Sequence, residues 1–233
     1  MLNLEVLGSS SEANCYIIRT KEETLILECG MNYKFIKQAL KFDLSKVKGC
    51  IITHEHKDHS RAAADLMKSG IDLYSSEGTF KALDISGHRV HALMTKTSYN
   101  IGRFSILPFD TEHDAAEPYG YLIYHPTFGK LLFATDTFYI KYKFNGLNYI
   151  MVECNYSKEI LDENISAGRL HPALRKRLLK SHFSLENVKI FLQANDLSKV
   201  ESIMLMHLSN GNSHAENFKN EIERLTGVPV RIC

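Results

Sequence analysis

Three histidines and one aspartate fall within six residues in the segment Ile52-Thr53-His54-Glu55-His56-Lys57-Asp58-His59-Ser60. The segment follows the apolar run Gly49–Thr53, which reads as a buried strand. It precedes Arg61–Ser69, which reads as a helix stopped by Gly70. In extended chain alternate side chains point the same way, so His54 and His56 share one direction. Asp58 and His59 begin the helix and address a second point close by. Imidazole together with carboxylate is the donor set of zinc and related divalent ions. A solvated polar loop has no need of four such groups at this spacing. The chain is therefore expected to fold so that a strand–loop–helix unit delivers these four side chains to one cavity.

The rest of the chain supplies a frame for such a unit. Leu2–Leu7, Asn14–Thr20 and Glu23–Glu28 alternate and are β-branched enough to be strands, and Tyr33–Phe42 has helical spacing. Strand-like runs recur at Phe104–Pro108, Tyr119–Tyr124, Leu131–Ala134 and Tyr149–Glu153. The last third reads as helices at Lys158–Ile165, Pro172–Lys180, Leu185–Ala194 and His214–Leu225, with strands at Ser202–His207 and Val228–Ile232. Both halves thus hold β-rich stretches separated by helices. Two sheets packed face to face with helices outside bury every one of these apolar faces, which predicts a four-layer α/β/β/α sandwich. At 233 residues and 44% hydrophobic content, one domain over residues 1–233 is expected.

The H-x-H-x-D-H pattern at 54–59 resembles the signature of the metallo-β-lactamase-fold hydrolases, and the later motifs of that family follow in order. Phe109-Asp110-Thr111-Glu112-His113 supplies a histidine behind a strand, Phe133-Ala134-Thr135-Asp136 an aspartate closing one, and Met204-Leu205-Met206-His207 a late histidine. The resemblance implies two divalent metal ions. His54, His56 and His113 would hold one, Asp58, His59 and His207 the other, and Asp136 would bridge. It also gives Asp58 a catalytic part. Five imidazoles suit zinc, and manganese or iron are the alternatives. One departure is visible: the family's L-I-D-x-G pattern becomes Leu25-Ile26-Leu27-Glu28-Cys29-Gly30, so Glu28 stands where a supporting aspartate is usual.

With two divalent ions and a shared hydroxide the implied site carries a formal charge of about +1, which suits a phosphodiester monoanion. The lactamases proper place a cysteine where this chain has Asp58, which directs the reading toward phosphodiesterases or thioester hydrolases. Finer segments agree. Gly8-Ser9-Ser10-Ser11-Glu12-Ala13-Asn14 resembles a loop of the YycJ/WalJ-type proteins. Glu153-Cys154-Asn155-Tyr156-Ser157 and Ser181-His182-Phe183-Ser184 resemble segments of the same proteins and of phage anti-Pycsar phosphodiesterases, which are similar to RNase Z. The resemblance makes His182 the proton donor to a leaving alkoxide. The plainer alternative is a helix cap ahead of Leu185. Tyr156 and Ser209 are candidate substrate contacts, as Tyr119 and Tyr121 are for base stacking.

Balanced charge, 28 Lys+Arg against 27 Asp+Glu, argues against gripping long nucleic acid by bulk electrostatics. A local basic stretch remains at Arg169, Arg175, Lys176, Arg177 and Lys180. No inserted Gly/Pro-rich arm for folded RNA is evident after Asp136. The favoured substrate is therefore a small cyclic nucleotide, such as a cyclic pyrimidine monophosphate. An exonuclease on DNA or RNA ends is the alternative. A thioester hydrolase of the glyoxalase II kind would need a helical C-terminal domain that is not evident, and a nucleotide-sequestering protein would not need His182. No apolar run approaches the ~20 residues of a membrane span. The start lacks the pattern of a secretion signal, and five scattered cysteines form no C-x-x-C pair. A cytoplasmic protein with reduced thiols is expected, and the RNase Z likeness implies a homodimer. His88, His91, His125, His171 and His214 fall outside the ligand pattern and are expected to be surface or structural, with His214 a candidate for the mouth of the site.

Overall fold

The computed structural model describes the backbone of residues 1–233 and every side chain except that of Pro172. Two compact units emerge from the packing. The first comprises Met1–Asp110 and Ala115–Phe128, the second Thr111–Asp114 and Gly129–Cys233.

The first unit opens with β1 (Asn3–Ser10), β2 (Ala13–Arg19) and β3 (Thr24–Leu27), then α1 (Tyr33–Ala39) and β4 (Val47–Ile51). Next come α2 (Lys57–Ser60), α3 (Ala63–Lys68), β5 (Leu73–Ser76), α4 (Glu77–Leu83) and β6 (Val90–Leu93). β1 to β6 form one six-stranded sheet in chain order. Its first three strands are antiparallel and its last four parallel. Each parallel step is made by helix, as a crossover requires. The inner strands are continuous apolar runs because helices cover them: all four residues of β3 are buried. Ile26, Cys29, Ile36, Leu40, Cys50, Ile52, Leu66, Leu73 and Phe80 form the resulting core. β7 (Tyr99–Ile101), β8 (Phe104–Asp110) and β9 (Tyr119–His125) complete the unit as an antiparallel meander.

The second unit is a parallel array of β10 (Gly129–Ala134), β11 (Tyr149–Glu153), β12 (Ser202–Met206) and β13 (Val230–Ile232), adjacent in that order. Between β11 and β12 run α5 (Lys158–Ser166), α6 (Pro172–Ser181) and α7 (Leu185–Gln193); α8 (Ala215–Thr226) joins β12 to β13. The helix starts follow capping chemistry. Ser157 and Ser184 accept backbone N–H groups at the starts of α5 and α7, and Gly227, at φ +69°, closes α8.

Three expectations change. The Gly8–Asn14 segment, read as a loop, is the tip of a β-hairpin in which Ser10 pairs with Ala13. Residues 70–101, left without elements, hold β5, α4, β6 and β7. Tyr156 is core rather than rim, only 1% exposed, and Tyr119 and Tyr121 are buried as well, so none presents a ring face to a base.

Candidate functional site

In the first unit the strand–loop–helix unit forms as the sequence predicts. β4 ends at Ile51, and His54, His56, Asp58 and His59 occupy the following loop and α2. His54 Nε2 and His56 Nδ1 stand 3.0 Å apart. Two nitrogens on one tetrahedral zinc ion, each at about 2.0–2.1 Å, would be separated by about 3.3 Å. The other nitrogen of His54 is held by the Thr53 hydroxyl at 2.9 Å. His59 is fully buried. Its Nε2 lies 3.2 Å from Asp58 Oδ2, and its Nδ1 lies 3.7 Å from Glu28 Oε2. Asn14 reaches the same pair, its Nδ2 lying 3.3 Å from Asp58 Oδ2 and 3.1 Å from His59 Nε2.

Glu28 takes the supporting place suggested by its departure from the family pattern. Its two oxygens accept the Thr53 N–H at 3.2 and 3.3 Å, which fixes the start of the ligand loop. Burial pushes its carboxyl up, while His59 and Thr53 pull it back. Glu28 sits at φ +62°, where a non-glycine residue is strained. Gly30 is required two residues on. A Cβ there would fall 1.6 Å from the Asp58 carbonyl oxygen, so the backbone of α2 lies directly on this glycine.

The second unit carries the remaining predicted residues. Asp136 follows β10 and His207 follows β12, at φ +47° and +53°. Both thus leave the carboxyl ends of parallel strands, where open α/β sheets place their ligand sites. His113 Nδ1 donates to the Ser181 carbonyl at 2.9 Å, which leaves Nε2 as its basic nitrogen, 3.7 Å from Asp136 Oδ2. Burial lowers the basicity of this ring. Asp136, Glu153, His182 and His207 bring ligand atoms within 4.8 Å of one another.

Glu153 is the residue that motif reading missed as a functional group. It ends β11, is fully buried, and accepts four hydrogen-bond contacts. These come from His182 Nδ1 at 2.6 Å, His207 Nδ1 at 3.2 Å, Thr137 N at 3.1 Å and Phe183 N at 3.0 Å. Because a carboxylate can only accept, His182 carries its proton on Nδ1. Burial alone would lower the His182 imidazole, but the Glu153 charge and hydrogen bond outweigh it and raise it above the ordinary range. The capping alternative for His182 does not hold, since Ser184 caps α7.

Ser209 is half-buried, its hydroxyl accepting from Asn212, its carbonyl from Ser213, and its N–H donating to the Asn155 carbonyl at 2.9 Å. His171 and His214 are helix caps, their Nδ1 atoms accepting from Ala173 N and Asn217 N. Cys15, Cys29, Cys50 and Cys154 are buried free thiols.

The donor chemistry fits divalent metal. In His54, His113 and His207 one ring nitrogen is held by a protein group, the arrangement that orients imidazole ligands and fixes their tautomer. The Metallo-beta-lactamase superfamily pattern matches residues 11–73, the stretch that contains the 54–59 motif. Fold and side chains together define a metal-dependent hydrolase with the metallo-β-lactamase fold. In particular, the chain is similar to the exodeoxyribonuclease YycJ of Bacillus anthracis, 28% identical over 92% of this chain and 85% of that protein. Among solved structures it resembles the metallo-β-lactamase fold protein YhfI of Bacillus subtilis, with a TM-score of 0.74 at 15% identity over 100% of this chain and 95% of that one. It also resembles the short form of human tRNase Z, with a TM-score of 0.64 at 12% identity over 99% and 95%. Among the described residues no helix is long and apolar enough to cross a membrane.

Proposed function

We propose that residues 1–233 form one phosphodiesterase domain that uses two divalent ions, zinc or manganese, to cleave phosphodiesters at the ends of nucleic acid strands. The observation that carries this reading is the Glu153–His182 pair set beside the ligand candidate His207. Phosphodiester cleavage expels an alkoxide that needs a proton, whereas a thioester's thiolate leaves without one. An imidazole held by a buried carboxylate, with its basicity raised, is a suitable donor.

His54, His56 and His113 would hold one ion, Asp58, His59 and His207 the second, and Asp136 both. Bound there, the ions would supply Lewis acidity toward the phosphoryl oxygens and an activated water. The chain's own work is to position and to protonate. Glu153 keeps His182 Nδ1 protonated and leaves Nε2 to pass a proton to the departing oxygen. Glu28 and Thr53 fix the ligand loop.

A strand end is favoured over other phosphodiesters by the likeness to a protein named as an exodeoxyribonuclease, which extends over most of both chains. The second reading is a 3′,5′-cyclic mononucleotide. It draws on the near-neutral net charge of +1 and on the short connection from Asp136 to β11, which has no room for an RNA-binding arm. The deciding experiment offers the metal-loaded protein end-labelled single-stranded DNA and RNA beside a panel of cyclic nucleotides. Stepwise shortening of a strand supports the first reading. Turnover of cyclic nucleotides alone replaces it with the second, and hydrolysis of neither rejects both.

A further inference from the structure

Helix α6 carries a charge pattern that the hydrolytic site does not use. From Asn164 to Leu185 the chain holds five cations, Arg169, Arg175, Lys176, Arg177 and Lys180, and no carboxylate, in a protein whose net charge is +1. The structure sorts them. Arg175 turns to α5, where its Nε meets Asp162 Oδ1 at 2.7 Å. Lys176, Arg177 and Lys180 stand three and four residues apart and so share one face of α6. All three are exposed. Arg177 Nε lies 3.4 Å from Asp114 Oδ2, while neither Lys176 nor Lys180 has an ion-pair partner among the described residues. A single cation in the last turn suffices to offset a helix dipole, and a face of three exceeds that need.

This face is anchored to the proton donor. His182 is the C-terminal cap of α6, its backbone N–H bonded to Leu178 O. The Ser181 carbonyl at the same turn receives His113 Nδ1, and Asp114, which Arg177 contacts, lies 3.3 Å from that nitrogen. Lys176 to Lys180 spans about 6 Å along the helix axis, close to the rise of two nucleotides at 3.4 Å each.

We propose that the Lys176–Arg177–Lys180 face of α6 is a track for the sugar–phosphate backbone of a nucleic acid strand, holding phosphates near the one presented to His182. This rests on the phosphodiesterase reading and deepens it, because a mononucleotide has no second phosphate to place there. Charge complementarity supports it: a row of exposed cations, two of them with no ion-pair partner among the described residues, on the helix that ends at the proton donor.

The test uses full-length, metal-loaded protein and a short 5′-labelled single strand. Its Kd is measured by fluorescence anisotropy between about 50 and 200 mM salt. Lys176→Ala/Lys180→Ala is expected to weaken binding roughly five- to tenfold and to flatten the log Kd against log salt slope by about 1.4, some 0.7 per lost phosphate contact. Lys176→Arg/Lys180→Arg should restore both. Circular dichroism melts confirm that each variant is folded. Unchanged affinity and slope in the folded alanine variant overturn the track, as does a wild-type protein that fails to bind the strand at low salt. Hydrolysis of bis(p-nitrophenyl) phosphate, which has a single phosphate and no strand to lie along the lysines, reports on the hydrolytic site separately. Lysine-dependent strand binding with no diester hydrolysis would keep the track and reject the phosphodiesterase.

Discussion

Glu153 Oε1 accepts the Nδ1 proton of His182 at 2.6 Å, although the two residues lie 29 positions apart. The same oxygen is 3.2 Å from His207 Nδ1, so one buried carboxylate orients both a candidate proton donor and a candidate metal ligand. These two roles separate experimentally. His182→Ala removes the donor and leaves Glu153 to hold His207. The variant is expected to lose roughly 10²–10⁴ in kcat on a phosphodiester with a poor leaving group. A p-nitrophenolate ester, whose leaving group needs no proton, should lose far less. Metal content by mass spectrometry should be unchanged. Equal losses on both substrates would remove His182 from proton transfer.

Glu28 plays the corresponding part in the first unit, between the Thr53 N–H and the His59 ring. Carboxylates that orient imidazole ligands typically contribute 10–100-fold to metal affinity. Glu28→Ala is therefore expected to lower affinity for the more weakly held ion by about that factor, measured by competition with a chromophoric chelator. Glu28→Gln keeps oxygen and volume and should lose less. If both variants hold metal as tightly as the native chain, Glu28 only secures the loop.

Much of this site is legible in the sequence because each ligand candidate follows a strand. His54, Asp136 and His207 come three, two and one residues after β4, β10 and β12, so an apolar run announces each of them. The same patterning gives most element boundaries to within a few residues. It fails over residues 70–101, where β5, β6 and β7 are only four, four and three residues long and each mixes polar with apolar residues, whereas the equally short β3 is Thr-Leu-Ile-Leu. Glu153 escapes for a different reason. It ends an otherwise apolar strand, and its partners come from 16 to 54 residues away, so only the tertiary fold reveals it. Tyr156 errs in the opposite direction: an aromatic in a recognisable segment invites a stacking role, and burial takes it away. Nor does any residue type announce the positive φ of Glu28, Asp136 and His207, since glycine, the usual marker, is absent at all three.

Gly30 offers a purely steric test. A methyl group there would sit 1.6 Å from the Asp58 carbonyl oxygen and 2.6 Å from the His59 amide nitrogen, both backbone atoms that cannot turn aside. Gly30→Ala must push α2 away, and Asp58 and His59 with it. Metal content should fall toward one ion per chain or none, and the urea midpoint should drop by an amount equivalent to about 1–3 kcal/mol, the usual cost of overpacking. Full loading of the variant with both ions would show that α2 has slack which the close approach denies.

His125 sets a pH limit on stability independent of the metal residues. Its Nδ1 accepts the Thr127 N–H at 3.1 Å, which requires the neutral ring, and the ring stacks on Phe128 at 5.5 Å. Burial holds its pKa below the ordinary value, with Arg103 adding to the shift and Glu23 opposing it. The unfolded chain therefore takes up this proton more readily than the folded one. Stability should be flat with respect to this group above about pH 6.5 and should fall as the pH drops from there toward the lowered folded value, by at most about 1.4 kcal/mol per pH unit. His125→Gln cannot take up a proton. Urea unfolding of the metal-free protein at pH 7.5 and 5.5 should show a smaller loss of midpoint for the variant than for the native chain, even if its midpoint at the higher pH is lower. An identical acid loss in both would assign the sensitivity to other groups.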